Sequence, residues 1–342
     1  MGENPIVSIV MPIYKHSEEQ LTTAIYSILN QTFNNFELII TDGSDDTKNF
    51  EIISLINDKR IRYFKIKGYI NCLNYGISQA KGKYIARMDS DDIARPNRIE
   101  EQVKFLEENP NISLCSCLVK YFGDTSKHKF SKHTREITLL NLIKCQEIVH
   151  PSMMFRKELN IKYENIMPLE DCLLFRKLLL AGKKLEIIDK ILSENYISEK
   201  SIMARYPKLM KYRKSKMNIY SLSKYYNYPL SFTDEIFKKK DFSKYDVLEL
   251  LNLIKFLNNE IHKNIFNVYE ISTPYLLYAL DKCKQRNPVL FSPIFIRTLF
   301  LYKLKLYLKQ CIRFIFSIFN EYIDNKKIKI ICTLGLKFRL KN

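Results

Sequence analysis

Short β-rich runs alternate with helix-like stretches over the first 95 residues, which predicts an α/β fold: a mostly parallel sheet with helices on both faces. Two further observations agree. The strand-like runs are apolar enough to be buried on both faces, and acidic turns follow two of them. A sheet of this kind takes its ligand in the crevice outside the carboxyl ends of its strands.

The elements follow in order. Residues 6–13 form the first strand, and a helix over 18–31 places Leu21, Ile25, Ile28 and Leu29 on one face. Residues 36–41 return as the second strand and 50–56 as a helix. The run 61–66 is the third strand, 72–80 a helix, Lys81-Gly82-Lys83 a turn, and 84–88 the fourth strand. Pro96 opens a helix to 108 that turns Ile99, Val103 and Leu106 inward, and Asn109-Pro110 ends it.

Composition narrows the class. Of the 342 residues 46% are hydrophobic and 27% charged, which excludes a disordered or collagen-like chain. The eight cysteines include no Cys-x-x-Cys, so neither a zinc site nor a redox motif is indicated. The net charge of +18 is unevenly spread: residues 1–200 hold 28 basic and 27 acidic side chains, residues 201–342 hold 27 and 10. Two regions are therefore expected, a near-neutral domain over 1–205 and a basic, mainly helical region over 206–342. The N-terminus lacks a charged segment followed by an apolar one, so a cytoplasmic location is expected.

Asp42-Gly43-Ser44-Asp45-Asp46 ends the second strand and Asp89-Ser90-Asp91-Asp92 the fourth, so two acidic clusters converge on one rim. Carboxylates repel at close range unless a hard cation or hydrogen-bond donors compensate them. Neither a Gly-x-Gly-x-x-Gly after a strand nor a Walker A ending is present. A diphosphate would then be neutralised by a divalent metal on Asp89 and Asp91, leaving Asp42 free to accept hydrogen bonds from a base or ribose. The plainer alternative makes 42–44 an ordinary turn and has Asp92 cap the segment that follows it.

These residues also carry a resemblance. The stretch from Pro5 through Pro12, Ile13 and Tyr14, then Ser27-Ile28-Leu29-Asn30-Gln31-Thr32-Phe33 and Asp42-Gly43-Ser44, resembles the opening of the family-2 inverting glycosyltransferases of the GT-A fold. Leu73-Asn74-Tyr75-Gly76, Tyr84-Ile85-Ala86-Arg87-Met88-Asp89-Ser90-Asp91-Asp92 and Pro96-Asn97-Arg98-Ile99 with Gln102 continue it over about 110 residues. The resemblance implies a nucleotide sugar, a UDP-sugar, as donor. It implies that Asp42 meets the uracil, that Pro12 and Tyr14 line the base pocket, that Asp91 is the chief ligand of Mn²⁺ or Mg²⁺, and that Asp89 assists or bonds the ribose. Thr41 and Lys15 depart from the family's usual acidic residue and Asn at those positions.

The family's base is the Asp of a Glu-Asp pair that opens a helix about 80 residues after the metal motif. Pro168-Leu169-Glu170-Asp171 matches in order and spacing, which makes Asp171 the implied base and Glu170 its neighbour at the acceptor. Acidic residues in a first helical turn are also favoured by the macrodipole alone. His150, in a segment that resembles a family strand beside the acceptor cleft, is a candidate acceptor-side residue. Arg156 and Arg176 are candidates for the diphosphate or for surface ion pairs.

Beyond 206 the resemblance fades. Residues 294–319 project as an amphipathic helix with Lys303, Lys305, Lys309 and Arg313 on one side. It either packs on the catalytic domain or lies on an anionic membrane surface, peripheral on the inner face of the cytoplasmic membrane. The expected activity is inverting, metal-dependent transfer of a hexose or N-acetylhexosamine to a glycan or lipid-linked glycan in surface polysaccharide or lipooligosaccharide synthesis. The alternatives are a nucleotide-sugar-binding protein without activity, and a nucleic-acid-binding protein using the basic half; no nucleic-acid motif favours the latter.

Overall fold

In a computed structural model of the chain, the described residues are 4–15, 17–123, 137–144, 148–166, 168–198, 207–233, 235–236, 239, 241, 243–260, 274–276 and 278–279. They form an eight-stranded sheet. Four strands come first, β1 (Val7–Ile13), β2 (Phe36–Asp42), β3 (Ile61–Lys65) and β4 (Tyr84–Arg87), joined by helices α1 (Glu18–Leu29), α2 (Lys48–Ser54) and α3 (Tyr69–Gln79). They lie parallel in the order β3-β2-β1-β4, as the alternation predicts.

The sheet then continues past β4. β5 (Ile93–Ala94) and helix α4 (Arg98–Glu108) lead into the long β6 (Ile112–Gly123), α5 (Leu139–Lys144), β7 (Met154–Arg156), α6 (Glu170–Leu180) and β8 (Lys184–Ile197). β7 runs antiparallel between β4 and β6, β8 runs parallel beside β6, and β5 closes the edge antiparallel to β8. The architecture is α/β and mostly parallel. One expectation needs correction: β1, β2 and β4 are buried on both faces, but β3 is an edge strand and only half-buried.

Close approaches explain two glycines. A Cβ on Gly82 would lie 2.6 Å from the Ser8 nitrogen, and one on Gly76 would lie 2.5 Å from Val10 Cγ1. The turn before β4 and the helix α3 can therefore press against β1 only without a side chain there. The same corner carries a buried polar knot. Glu37 accepts from Ser8 Oγ at 2.6 Å and from the Lys81 N–H at 2.7 Å, and it is ion-paired to Arg62.

Two helices from the basic half are described, α7 (Pro207–Tyr225) and α8 (Lys244–Glu260). α7 packs on α6: Met217 is buried with Leu169 and Leu173, and Asn218 Oδ1 accepts from Arg176 Nη2 at 3.0 Å. The chain divides into two compact units, 1–240 with 244–278, and 241–243 with 279–342. The boundary near 205 marks the change of charge, and α7, just beyond it, belongs to the first unit. The expected amphipathic helix over 294–319 lies outside the described residues. No described helix is long and apolar enough to cross a membrane.

Candidate active site

β1 lies between β2 and β4, so the acidic turns after β2 and β4 open on the same edge of the sheet, two strand spacings or roughly 9–10 Å apart. The second turn is the compact one. Asp89, Asp91 and Asp92 each place a carboxylate oxygen within 4.8 Å of the others. Three carboxylates this close are oxygen donors of the kind that could hold a hard divalent cation. Asp92 is buried and tied to β8, accepting from Asn195 Nδ2 at 2.7 Å and from the Tyr196 N–H at 2.8 Å. Burial, then the charges of Asp89 and Asp91, push its pKa well up.

Asp42 does not join that group, and its carboxylate is not free. One oxygen accepts from the Ser44 N–H at 2.8 Å and from Asn49 Nδ2 at 3.1 Å; the other accepts from the Tyr63 hydroxyl at 2.6 Å and from Lys65 Nζ at 3.0 Å. Burial raises its pKa, but these bonds outweigh burial and hold it below the usual carboxylate range. The cause is register. Asp42 stands opposite Lys65 in the β2–β3 pairing, so the neighbouring strand delivers the donors. In this state Asp42 organises the loop over 42–49, which also carries Asn49 to the Tyr14 carbonyl. Pro12 is buried at the end of β1 and Tyr14 is half-exposed beside the rim.

The second acidic set opens α6. Asp171 accepts from the Cys172 N–H at 2.7 Å, while Glu170 is buried and accepts from the Leu169 N–H at 3.0 Å. Burial and then the neighbouring Asp171 raise the Glu170 pKa. Leu169 itself sits at φ 129°, a backbone conformation that costs a non-glycine residue of order 1–3 kcal/mol. Its buried side chain, packed with Leu173 and Met217, fixes it there.

Beside the first acidic set lie Arg87 and Tyr69. The buried Arg87 guanidinium forms an ion pair with Asp89 and donates to the Tyr69 hydroxyl at 2.9 Å. Tyr69 is raised in pKa by burial, and Asp89, Glu170 and Asp171 all add to the rise, so one phenol feels both sets. Neither residue was singled out in the sequence, although an Arg inside a strand otherwise buried throughout marks a paired internal charge.

The remaining candidates are placed as follows by their contacts. His150 is buried, its Nε2 2.6 Å from the Tyr163 hydroxyl and its ring edge-on to Phe175. Arg156 caps the C-terminus of α4 through the carbonyls of Leu106 and Asn109. Arg176 is buried between α5 and α7, on the Leu142 carbonyl and Asn218. The motif residues Arg98 and Gln102 serve as staples: Arg98 Nη2 donates to the carbonyls of Arg87 at 2.7 Å and Pro151 at 2.8 Å, and Gln102 to that of Ser152 at 2.8 Å.

A mostly parallel sheet with carboxylates gathered after β4 and an acidic pair opening a later helix defines the class, a GT-A glycosyltransferase. The model of the family "Glycosyl transferase family 2" matches residues 8–177. The chain belongs to that family. The uncharacterized glycosyltransferase MJ1057 of Methanocaldococcus jannaschii is 32% identical over 221 residues, 57% of this chain and 74% of that protein. The O-antigen biosynthesis glycosyltransferase WbnJ of Escherichia coli is 29% identical over 168 residues, 46% of this chain and 64% of the relative. Among solved structures, residues 1–349 of S. aureus TarS in complex with UDP-GlcNAc superpose with a TM-score of 0.55 at 17% identity, covering 84% of this chain and 93% of that one; the likeness is one of fold.

Proposed function

We propose that the chain transfers a hexose or N-acetylhexosamine, with inversion, from a UDP-sugar to a hydroxyl of a growing glycan. The observation that carries the reading is the cluster of Asp89, Asp91 and Asp92 carboxylates after β4, in a chain whose later helix α6 opens on Glu170 and Asp171. The UDP-GlcNAc of the TarS complex supports the choice of nucleotide, and the O-antigen relative supports a surface polysaccharide or lipooligosaccharide as product.

In this reading Asp91 and Asp89 hold Mn²⁺ or Mg²⁺ against the donor diphosphate. When bound, the cation supplies Lewis-acid stabilisation of the leaving diphosphate. Pro12 and Tyr14 line the base pocket, and Asp42 keeps the loop over 42–49 in place for the base. The Asp171 carboxylate takes the proton of the acceptor hydroxyl as that oxygen attacks the anomeric carbon, and the nucleoside diphosphate departs from the opposite face. Glu170, held more basic than an ordinary carboxyl, hydrogen-bonds the acceptor beside it. Residues 1–205 carry the catalytic machinery, and the basic 206–342 brings the enzyme to the inner membrane surface, where a lipid-linked acceptor resides.

The test is a thermal-shift panel of nucleotide sugars with and without Mn²⁺, on wild type, Asp91→Asn and Asp171→Asn. Asp91→Asn is expected to weaken metal-linked donor binding. Asp171→Asn is expected to keep donor binding and lose transfer by at least about 100-fold; transfer at the wild-type rate would remove Asp171 as the base.

A further inference from the structure

Two arginines are buried side by side under the acidic rim, and they are used differently. Arg98 spends its N–H groups on the framework: on the Arg87 and Pro151 carbonyls, Gln102 Oε1 and Met88 Sδ. Arg87 is only 3% exposed, yet among the described residues its side chain bonds no backbone carbonyl; Nη2 goes to Asp89 and Tyr69, and Nε and Nη1 have no hydrogen-bond partner there. A guanidinium that holds no backbone together, and keeps two donors unspent in the interior, is there for its charge.

That charge sits where the acids are. Arg87 pairs directly with Asp89, in the same turn as Asp91 and Asp92. Asp89 is thus shared between an internal cation and any external one. We infer that Arg87 is a positioning residue that holds Asp89 ready at the rim and competes with the divalent cation for it, so that it sets how tightly the metal is held. The inference rests on the metal-site reading above.

The competition has a direction. A fixed positive charge in contact with one ligand repels a second cation and offsets part of the rim's negative charge. Removing it while leaving the carboxylates in place should tighten metal binding. Lys at the same position retains the charge but loses the fork, so a charge effect survives Arg87→Lys and a shape effect does not.

The experiment measures Mn²⁺ binding to the full chain by the spin-resonance signal of free Mn²⁺, with Mn²⁺ alone and again with UDP. In wild type Mn²⁺ binding with UDP is the control: its absence would sink the metal-site reading itself, whatever the variants do. Given that binding, Arg87→Met is expected to hold Mn²⁺ alone about tenfold more tightly, and Arg87→Lys to stay within about threefold of wild type. Equal affinities in all three chains, or a shift of both variants in the same direction and degree, would overturn the proposal. Should Arg87→Met fail to fold, Tyr69→Phe gives a second reading. It removes the hydroxyl that shares Nη2, commits the guanidinium to Asp89 and should weaken Mn²⁺ binding about threefold; an unchanged affinity would overturn the proposal equally.

Discussion

Asn74 holds the backbone of Tyr163 from both sides, its Nδ2 donating to the Tyr163 carbonyl at 3.0 Å and its Oδ1 accepting from the Tyr163 N–H at 2.8 Å. The contact pins the segment ahead of α6 to helix α3, whose first residue is Tyr69. It thereby fixes the Tyr163 ring against His150 and sets the approach of the chain to Glu170 and Asp171.

Asn74→Asp keeps the size and the acceptor but loses the donor, and sets a carboxylate against a carbonyl. The expected cost is about 1–3 kcal/mol of stability, read from denaturant unfolding, together with a fall in transfer rate while UDP-linked thermal stabilisation persists. Unchanged stability would show that the clip does no structural work.

The strained residue ahead of the acidic pair inverts a familiar ranking. Leu169→Ala keeps φ at 129° for a non-glycine residue and loses the packing on Leu173 and Met217. Leu169→Gly loses the same packing and also the backbone strain. The glycine variant is therefore expected to be the more stable of the two by about 1 kcal/mol, although glycine is ordinarily the worse neighbour of a helix. Comparison of the two unfolding midpoints decides it, and alanine above glycine would mean that the conformation carries no strain.

How much of this was legible in the chain depends on the range of the interaction. The parallel core and the Asp89-Ser90-Asp91-Asp92 turn rest on local periodicity and neighbouring residues, and both stand where the sequence puts them. The donors around Asp42 come from Tyr63 and Lys65 on another strand, and only the register brings them there. β6 and β8 were not expected as strands at all. β8 carries Asp189 and Lys190 among its apolar residues and pairs to β6 with register shifts, so no clean alternation marks it. Arg87 is legible as an anomaly, a charge in a buried strand, but not its division between Asp89 and Tyr69.

His150 makes stability depend on pH. Burial, and then the nearby Arg87 charge, hold its imidazole pKa well below the ordinary 6.5. The groups facing it are the Tyr163 hydroxyl and the Phe175 ring. Since the unfolded chain takes up the proton first, this contribution is complete above about pH 6.5 and is lost as pH falls below it, by at most about 1.4 kcal/mol per unit. Unfolding curves between about pH 7.5 and about pH 5.5 should show wild type losing stability relative to His150→Gln. Parallel curves would mean that the imidazole is protonated in place.

The last prediction concerns the basic end. Residues 279–342 carry 14 Lys and Arg against 3 Asp and Glu, and they include the amphipathic pattern over 294–319. Each basic side chain near an anionic surface contributes about 1 kcal/mol, and the apolar face adds burial, so together they would hold the enzyme on a membrane without a spanning segment. The informative truncation ends after Tyr278, because α7 packs on α6 beside Leu169 and must stay with the catalytic unit. The shortened chain should keep its UDP-linked thermal shift and lose co-sedimentation with vesicles rich in phosphatidylglycerol, whereas the full chain should sediment with them in a salt-sensitive way and ignore neutral vesicles. Equal sedimentation of both chains would end the membrane reading, and salt-dependent retention on generic duplex DNA by the full chain alone would turn the basic end toward nucleic acid instead.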